Sequence, residues 1–120
     1  MWRGKWIPLQ EHPPTEEDGP FVLMWHIWQG VMLCRSAEWN HNRFFRYWRP
    51  MPAIGWVDAA ERKPERKDAD SFNCVLAVHR LEGFKVTGWR RFDTDRNLTR
   101  WMATPEPPED YKELRWKDGY

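Results

Sequence analysis

Two stretches of this sequence interleave arginine with aromatic rings, and they hold its clearest chemistry. Arg43-Phe44-Phe45-Arg46-Tyr47-Trp48-Arg49 is the first; Trp89-Arg90-Arg91-Phe92, followed by Arg100-Trp101, is the second. Arg outnumbers Lys 13 to 6, and a guanidinium stacks on rings and forks onto phosphate where an ammonium is only a point charge. Two binding chemistries suit the pattern. Rings can stack on bases while arginines hold phosphates, as in nucleotide or single-strand binding. Alternatively, Trp, Tyr and Arg can anchor a protein interface, where these types dominate hot spots. The competing reading is structural: Trp6, Trp48, Trp56 and Trp101 are core, with Arg stems laid over them. The six Trp outside those positions, Trp2, Trp25, Trp28, Trp39, Trp89 and Trp116, are more than two small sheets can easily bury. The candidate binding residues are therefore Arg43, Arg46, Arg49 and Trp39 in the first stretch, and Trp89, Arg90, Arg91 and Arg100 in the second.

Catalysis finds less support. His12, His26, His41 and His79 are scattered, without a Ser, Cys or carboxylate at a spacing that recurs in nucleophilic sites. Cys34 and Cys74 have no Cys-x-x-Cys companion, so zinc would need an unusual convergence with two His. They read as small apolar residues kept reduced. Acid pairs such as Glu16-Glu17 and Asp93 with Asp95 fit solvated turns better than general acid–base work. No glycine-rich phosphate loop is present. The expectation is a protein with no catalytic residues, no metal and no cofactor.

These residues must be held by some scaffold, and the chain repeats itself. A shift of 53 places Phe21-Val22-Leu23-Met24-Trp25 on Cys74-Val75-Leu76-Ala77-Val78, Gly30 on Gly83, Phe45 on Leu98, Trp48 on Trp101 and Pro52 on Pro105. A shift of 50 places Trp6-Ile7 on Trp56-Val57. The chain thus reads as two tandem units, 5–52 and 55–108, joined by Ala53-Ile54. Apolar runs ending at Gln29-Gly30 and Glu82-Gly83 predict hairpins, because Gly tolerates the positive φ of tight turns. Strands are expected at Phe21 to Trp28, Val31 to Arg35, Cys74 to Leu81 and Phe84 to Trp89, with a further strand ending at Trp48. Val22 to Trp25 is apolar at every position, so that strand should be buried on both faces. Proline and charge mark 8–20 and 58–73 as loops, with a helical turn in the second. Pro107-Pro108, then acids, then cations and Gly119 predict a short C-terminal helix over 109–120, capping the second unit. The fold class is mainly β (or α+β): two tandem antiparallel β-meander units packed together, plus the C-terminal helix.

The composition agrees. A chain of 120 residues with 41% apolar residues can build a core. It has no apolar run of the ~20 residues that a membrane-spanning helix needs, and no secretory signal is expected. A net charge of +1 excludes a histone-like binder.

The stretch Leu98-Thr99-Arg100-Trp101-Met102-Ala103-Thr104-Pro105-Glu106-Pro107-Pro108 resembles the close of a small phage and prophage domain, family 551 among the domains of unknown function. Units of that family open on Trp-Ile, run through a Val-Leu strand and an aromatic strand, and end Thr-His-Trp-Met-Pro-Leu-Pro-Glu-Pro-Pro. Trp56-Val57, Pro64, Val75-Leu76 and Trp101-Met102 fit over 55–108. Trp6-Ile7, Pro13 or Pro14, Val22-Leu23 and Trp48-Arg49-Pro50-Met51-Pro52 fit more loosely over 5–52. Arg100 stands where the family has His, and Ala103-Thr104 where it has Pro-Leu. The resemblance implies a phage-type origin and a small β-rich unit, and it carries no activity. The expected function is stoichiometric binding to a host protein in the bacterial cytoplasm, for instance as an inhibitor of a defence system. The alternative is a nucleotide or single-stranded nucleic-acid module that sequesters a signalling nucleotide. No membrane partner is expected.

Overall fold

The computed structural model describes residues 6–36 and 44–110. It is mainly β and divides into two compact units, Met1–Pro52 with Glu106–Tyr120, and Ala53–Pro105. The first unit contains β1 (Ile7–Pro8), β2 (Phe21–His26), β3 (Gly30–Arg35) and β4 (Phe45–Pro50); the second contains β5 (Val57–Asp58), β6 (Cys74–His79), β7 (Gly83–Gly88) and β8 (Leu98–Met102). Each set forms a four-stranded antiparallel sheet, in the orders β1-β4-β2-β3 and β5-β8-β6-β7. The order is not that of a plain meander. Only β2–β3 and β6–β7 are hairpins; the next strand returns along the far edge of the first hairpin strand. This makes the most apolar strand of each unit an interior strand.

The two units share one pairing register, and the first adds Val22 opposite Pro50 at the end of its ladder. Met24 lies opposite Trp48, and Ala77 opposite Trp101. Each long-range ladder carries one bulge, between Trp25 and His26 and between Val78 and His79. Arg46 and Thr99 are the extra residues. A bulge turns the following side chain to the other face, which is why Phe45 joins Trp48, and Leu98 joins Trp101, in one core. That core contains Val22, Met24 and Trp48 in the first unit, with Ile7, Leu9, Cys34 and Phe45 packed on it. In the second it contains Val75, Ala77, Phe92, Leu98 and Trp101.

Both buried indoles are held from the N-terminal loop. Trp48 Nε1 donates to the His12 carbonyl at 2.6 Å, and Trp101 Nε1 to the Arg62 carbonyl at 2.7 Å. The same two residues stack their side chains on those rings, His12 at 6.0 Å between centroids and the Arg62 guanidinium at 4.6 Å. These loops close on matching 3-10 turns, Glu16–Asp18 and Arg66–Asp68. In each, the third residue is an Asp whose carboxylate accepts the N–H of the residue before the turn, Thr15 or Glu65, at 2.8 Å. The helical turn expected only in the second loop is thus present in both.

As expected, Val22, Leu23, Met24 and Trp25 are all buried. On the face of β2 away from Trp48, Trp25 meets Trp6 edge-on at 6.0 Å. The second unit exchanges bulk across the ladder at this place. Val78 replaces Trp25, while Phe84, opposite it, replaces Val31 and packs on Trp56 at 5.7 Å.

Three boundaries differ from the expectation. The strands from Phe21 and Cys74 stop at His26 and His79 rather than running on to Trp28 and Leu81, because a ring nitrogen of each His closes the loop. Nδ1 of His26 accepts the N–H groups of Trp28 and Gln29, each at 3.1 Å; Nδ1 of His79 accepts those of Leu81 and Glu82, also at 3.1 Å. Gly30 and Gly83 follow at φ +78° and +80°, giving a three-residue loop with its left-handed glycine. Next, β7 ends at Gly88, and Trp89–Asp93 is a 3-10 turn that drops Phe92 into the core. Finally, Glu106–Asp110 lies against the first unit, not the second. Its Glu106 carbonyl accepts from Trp6 Nε1 at 2.7 Å, and Asp110 accepts from the Tyr47 hydroxyl at 2.8 Å. Burial first, then that carboxylate, pushes the Tyr47 pKa up to about 12. The rest of the expected C-terminal helix lies outside the described residues.

His26 makes stability depend on pH. Burial among Phe44 and Phe45 lowers its pKa from the ordinary 6.5, and a protonated Nδ1 could not accept the two loop N–H groups. Below about pH 6.5 the unfolded chain takes up a proton that the folded chain resists, so stability falls with falling pH and is complete above that value. The urea midpoint should therefore drop between about pH 7 and pH 5. His26→Asn, which has no titrating group there, should flatten that part of the slope. An unchanged slope would show that His26 does not set it.

Candidate functional site

The sheets distribute the candidate arginines unevenly. Trp39 and Arg43 lie outside the described residues. Arg49 is in the interior, only 5% exposed, with its guanidinium 5.3 Å from the Trp6 ring. It occupies the position that Met102 fills in the second unit, and burial lowers its pKa. Arg49 is therefore a packing residue that keeps its charge over a ring, not part of an accessible surface. Arg46 is half-buried on the bulge of β4. Arg91 is exposed on the 3-10 turn and Arg100 is exposed on β8.

Trp89 and Arg90 do come together, and they do so at a groove. Its walls are Arg66, Asn73, Gly88, Trp89 and Arg90, and its volume is about 300 Å³. The Arg90 guanidinium sits 5.2 Å from the Trp89 ring centre. Arg66 reaches the groove from the 3-10 turn Arg66–Asp68. Asn73 holds φ at 62°, a left-handed value that Asn tolerates better than most residues, and its carbonyl accepts the Trp89 N–H at 3.1 Å. Asp70 fixes the approach: Oδ1 accepts the N–H groups of Phe72 and Cys74 at 2.9 and 3.0 Å, and Oδ2 accepts the Thr104 hydroxyl at 3.0 Å. Among the described residues neither Arg66 nor Arg90 forms an ion pair, whereas Arg62 is engaged by Asp68 at 3.0 Å.

The first unit repeats the backbone hydrogen bond found here, with different side chains around it. The N–H of Ser36 bonds to the carbonyl of Pro20 at 3.1 Å, as that of Trp89 does to Asn73. The cross-strand pair Phe21 and Arg35 corresponds to Cys74 and Gly88. Arg35 lies over the Phe21 ring at 5.5 Å. Two large side chains thus stand where the second unit has a thiol and a hydrogen.

A second feature belongs to both units. Trp28 and Leu81, related by the shift of 53, stand at the tips of their hairpins. Trp28 is 36% exposed and Leu81 77%, and the backbone N–H of each is one of the pair captured by the buried His. Reading the histidines singly, as scattered, does not find this: His26 and His79 are buried and repeat-related. The signal was present, since the shift that aligns Trp48 with Trp101 also aligns them.

Burial raises the pKa of both Cys34 and Cys74, away from the thiolate a nucleophile needs. Among the described residues no group of three or more His, Cys, Asp or Glu could hold a metal ion, and no helix is long and apolar enough to cross a membrane. No family model, curated protein or solved structure matches the chain.

Proposed function

We propose that the protein acts by stoichiometric binding to a partner protein, without catalysing a reaction. The carrying observation is the apolar residue at each hairpin tip. Single exposed apolar residues are ordinary. Two at the same repeat position, each on a loop that a buried histidine spends both its acceptor bonds to shape, form a presented feature. A rigid loop gives up little freedom on docking, so Trp28 and Leu81 suit an apolar cleft. The resemblance to a phage domain supports a host protein in the bacterial cytoplasm as the partner, with inhibition of a defence system as the outcome.

The test is capture from bacterial lysate by the wild-type chain and by Trp28→Ser with Leu81→Ser. Leu81 is well exposed, and its substitution should move stability by about 0.5 kcal/mol or less; Trp28 is partly buried, so both chains are compared after their folded fractions are measured. A protein held by the wild type should be lost from the variant at equal folded concentration. Equal retention by both would refute the tips as the binding surface.

A further inference from the structure

We propose that the groove between Asn73 and Arg90 is a small-ligand site for a nucleoside phosphate, independent of the hairpin tips. Three observations converge. The volume of about 300 Å³ falls at the lower end of small-molecule sites and is adequate for one compact ligand. Its walls combine the half-buried ring of Trp89, stacked with the Arg90 guanidinium, with a second guanidinium from Arg66. A ring with an attached cation is a surface for a planar base. The guanidinium groups suit a phosphate, and the Asn73 amide offers both a donor and an acceptor to a base edge. Neither Arg66 nor Arg90 is neutralised by an ion pair among the described residues, so both charges remain available to an anion.

The internal repeat strengthens the argument. The same ladder position in the first unit holds Phe21 and Arg35, and Ser36 stands in place of Trp89. Folding this scaffold therefore requires neither a glycine at this position nor a Trp after it. Trp89 also packs on the core of its unit, whereas Arg90 stands where the first unit has Ala37, and its guanidinium agrees with the ring in chemistry.

Gly88 supplies the decisive variant. Its φ of −62° suits any residue, and a Cβ there would meet nothing nearer than the Asn73 carbonyl oxygen at 3.8 Å. Gly88→Leu should thus fill the groove while leaving the backbone unstrained. Binding of adenosine 5′-monophosphate, adenosine and inorganic phosphate would be measured by calorimetry on the full chain. The monophosphate should bind, with adenosine and phosphate each at least about tenfold weaker. Gly88→Leu should abolish binding. Arg66→Glu, a surface change that leaves the groove open, should weaken it roughly ten- to a hundredfold. Leu81→Ser should leave it unchanged, which separates this site from the hairpin tips. Absence of monophosphate binding would overturn the proposal. So would phosphate binding as tight as the monophosphate, or nucleotide binding that survives in folded Gly88→Leu.

Discussion

Trp48→Ala and Trp101→Ala should each destabilise the chain by about 3–5 kcal/mol, the range for removing a large buried aromatic. Both rings are almost wholly buried, and each holds three kinds of contact at once. The ring packs on the interior strand, against Val22 and Met24 or Val75 and Ala77. The indole N–H ties down the loop carbonyl of His12 or Arg62, and the face carries that residue's side chain. Alanine removes the packing, leaves a cavity and orphans the carbonyl. Chemical denaturation checks the size of the effect. Phe at either position should recover much of the packing and lose the hydrogen bond, worth about 1 kcal/mol. A loss under about 1 kcal/mol for the Ala variants would contradict this account.

His26→Ala and His79→Ala should come next, at about 2–3 kcal/mol each, from two lost acceptor bonds and a small cavity. Asn is the informative replacement. Its side-chain oxygen can accept backbone N–H groups further along a turn, so Asn should recover part of what Ala loses. If Asn and Ala were equally destabilising, packing alone would explain the histidines.

The fold was legible where it repeats and where patterning is local. Gly30 and Gly83 marked the hairpins, and the uninterrupted apolar run at Val22 marked an interior strand. The route of β4 and β8 was not legible, because it depends on partners distant in sequence and on a bulge at Arg46 or Thr99 whose residue types carry no signal. The expected strand end at Trp89 failed for a local reason: Phe92 gains burial only if the chain turns at Gly88. Of the candidate residues, Trp89 and Arg90 could be named as an Arg–aromatic pair. The groove beside them could not, since Arg66, Asn73 and Gly88 are separated in sequence from one another and meet around it only in the folded unit. Arg49 misled because a charged residue occupying a methionine position looks, in sequence, like a surface residue.

The return of Glu106–Asp110 to the first unit has a consequence for the order of assembly. A chain is made from its N-terminus, so all of Ala53–Pro105 is available before Glu106 can accept from Trp6 or Asp110 from Tyr47. The half of the protein that is synthesised first is therefore the half that is finished last, and its final hydrogen bonds close only after the complete second sheet has emerged.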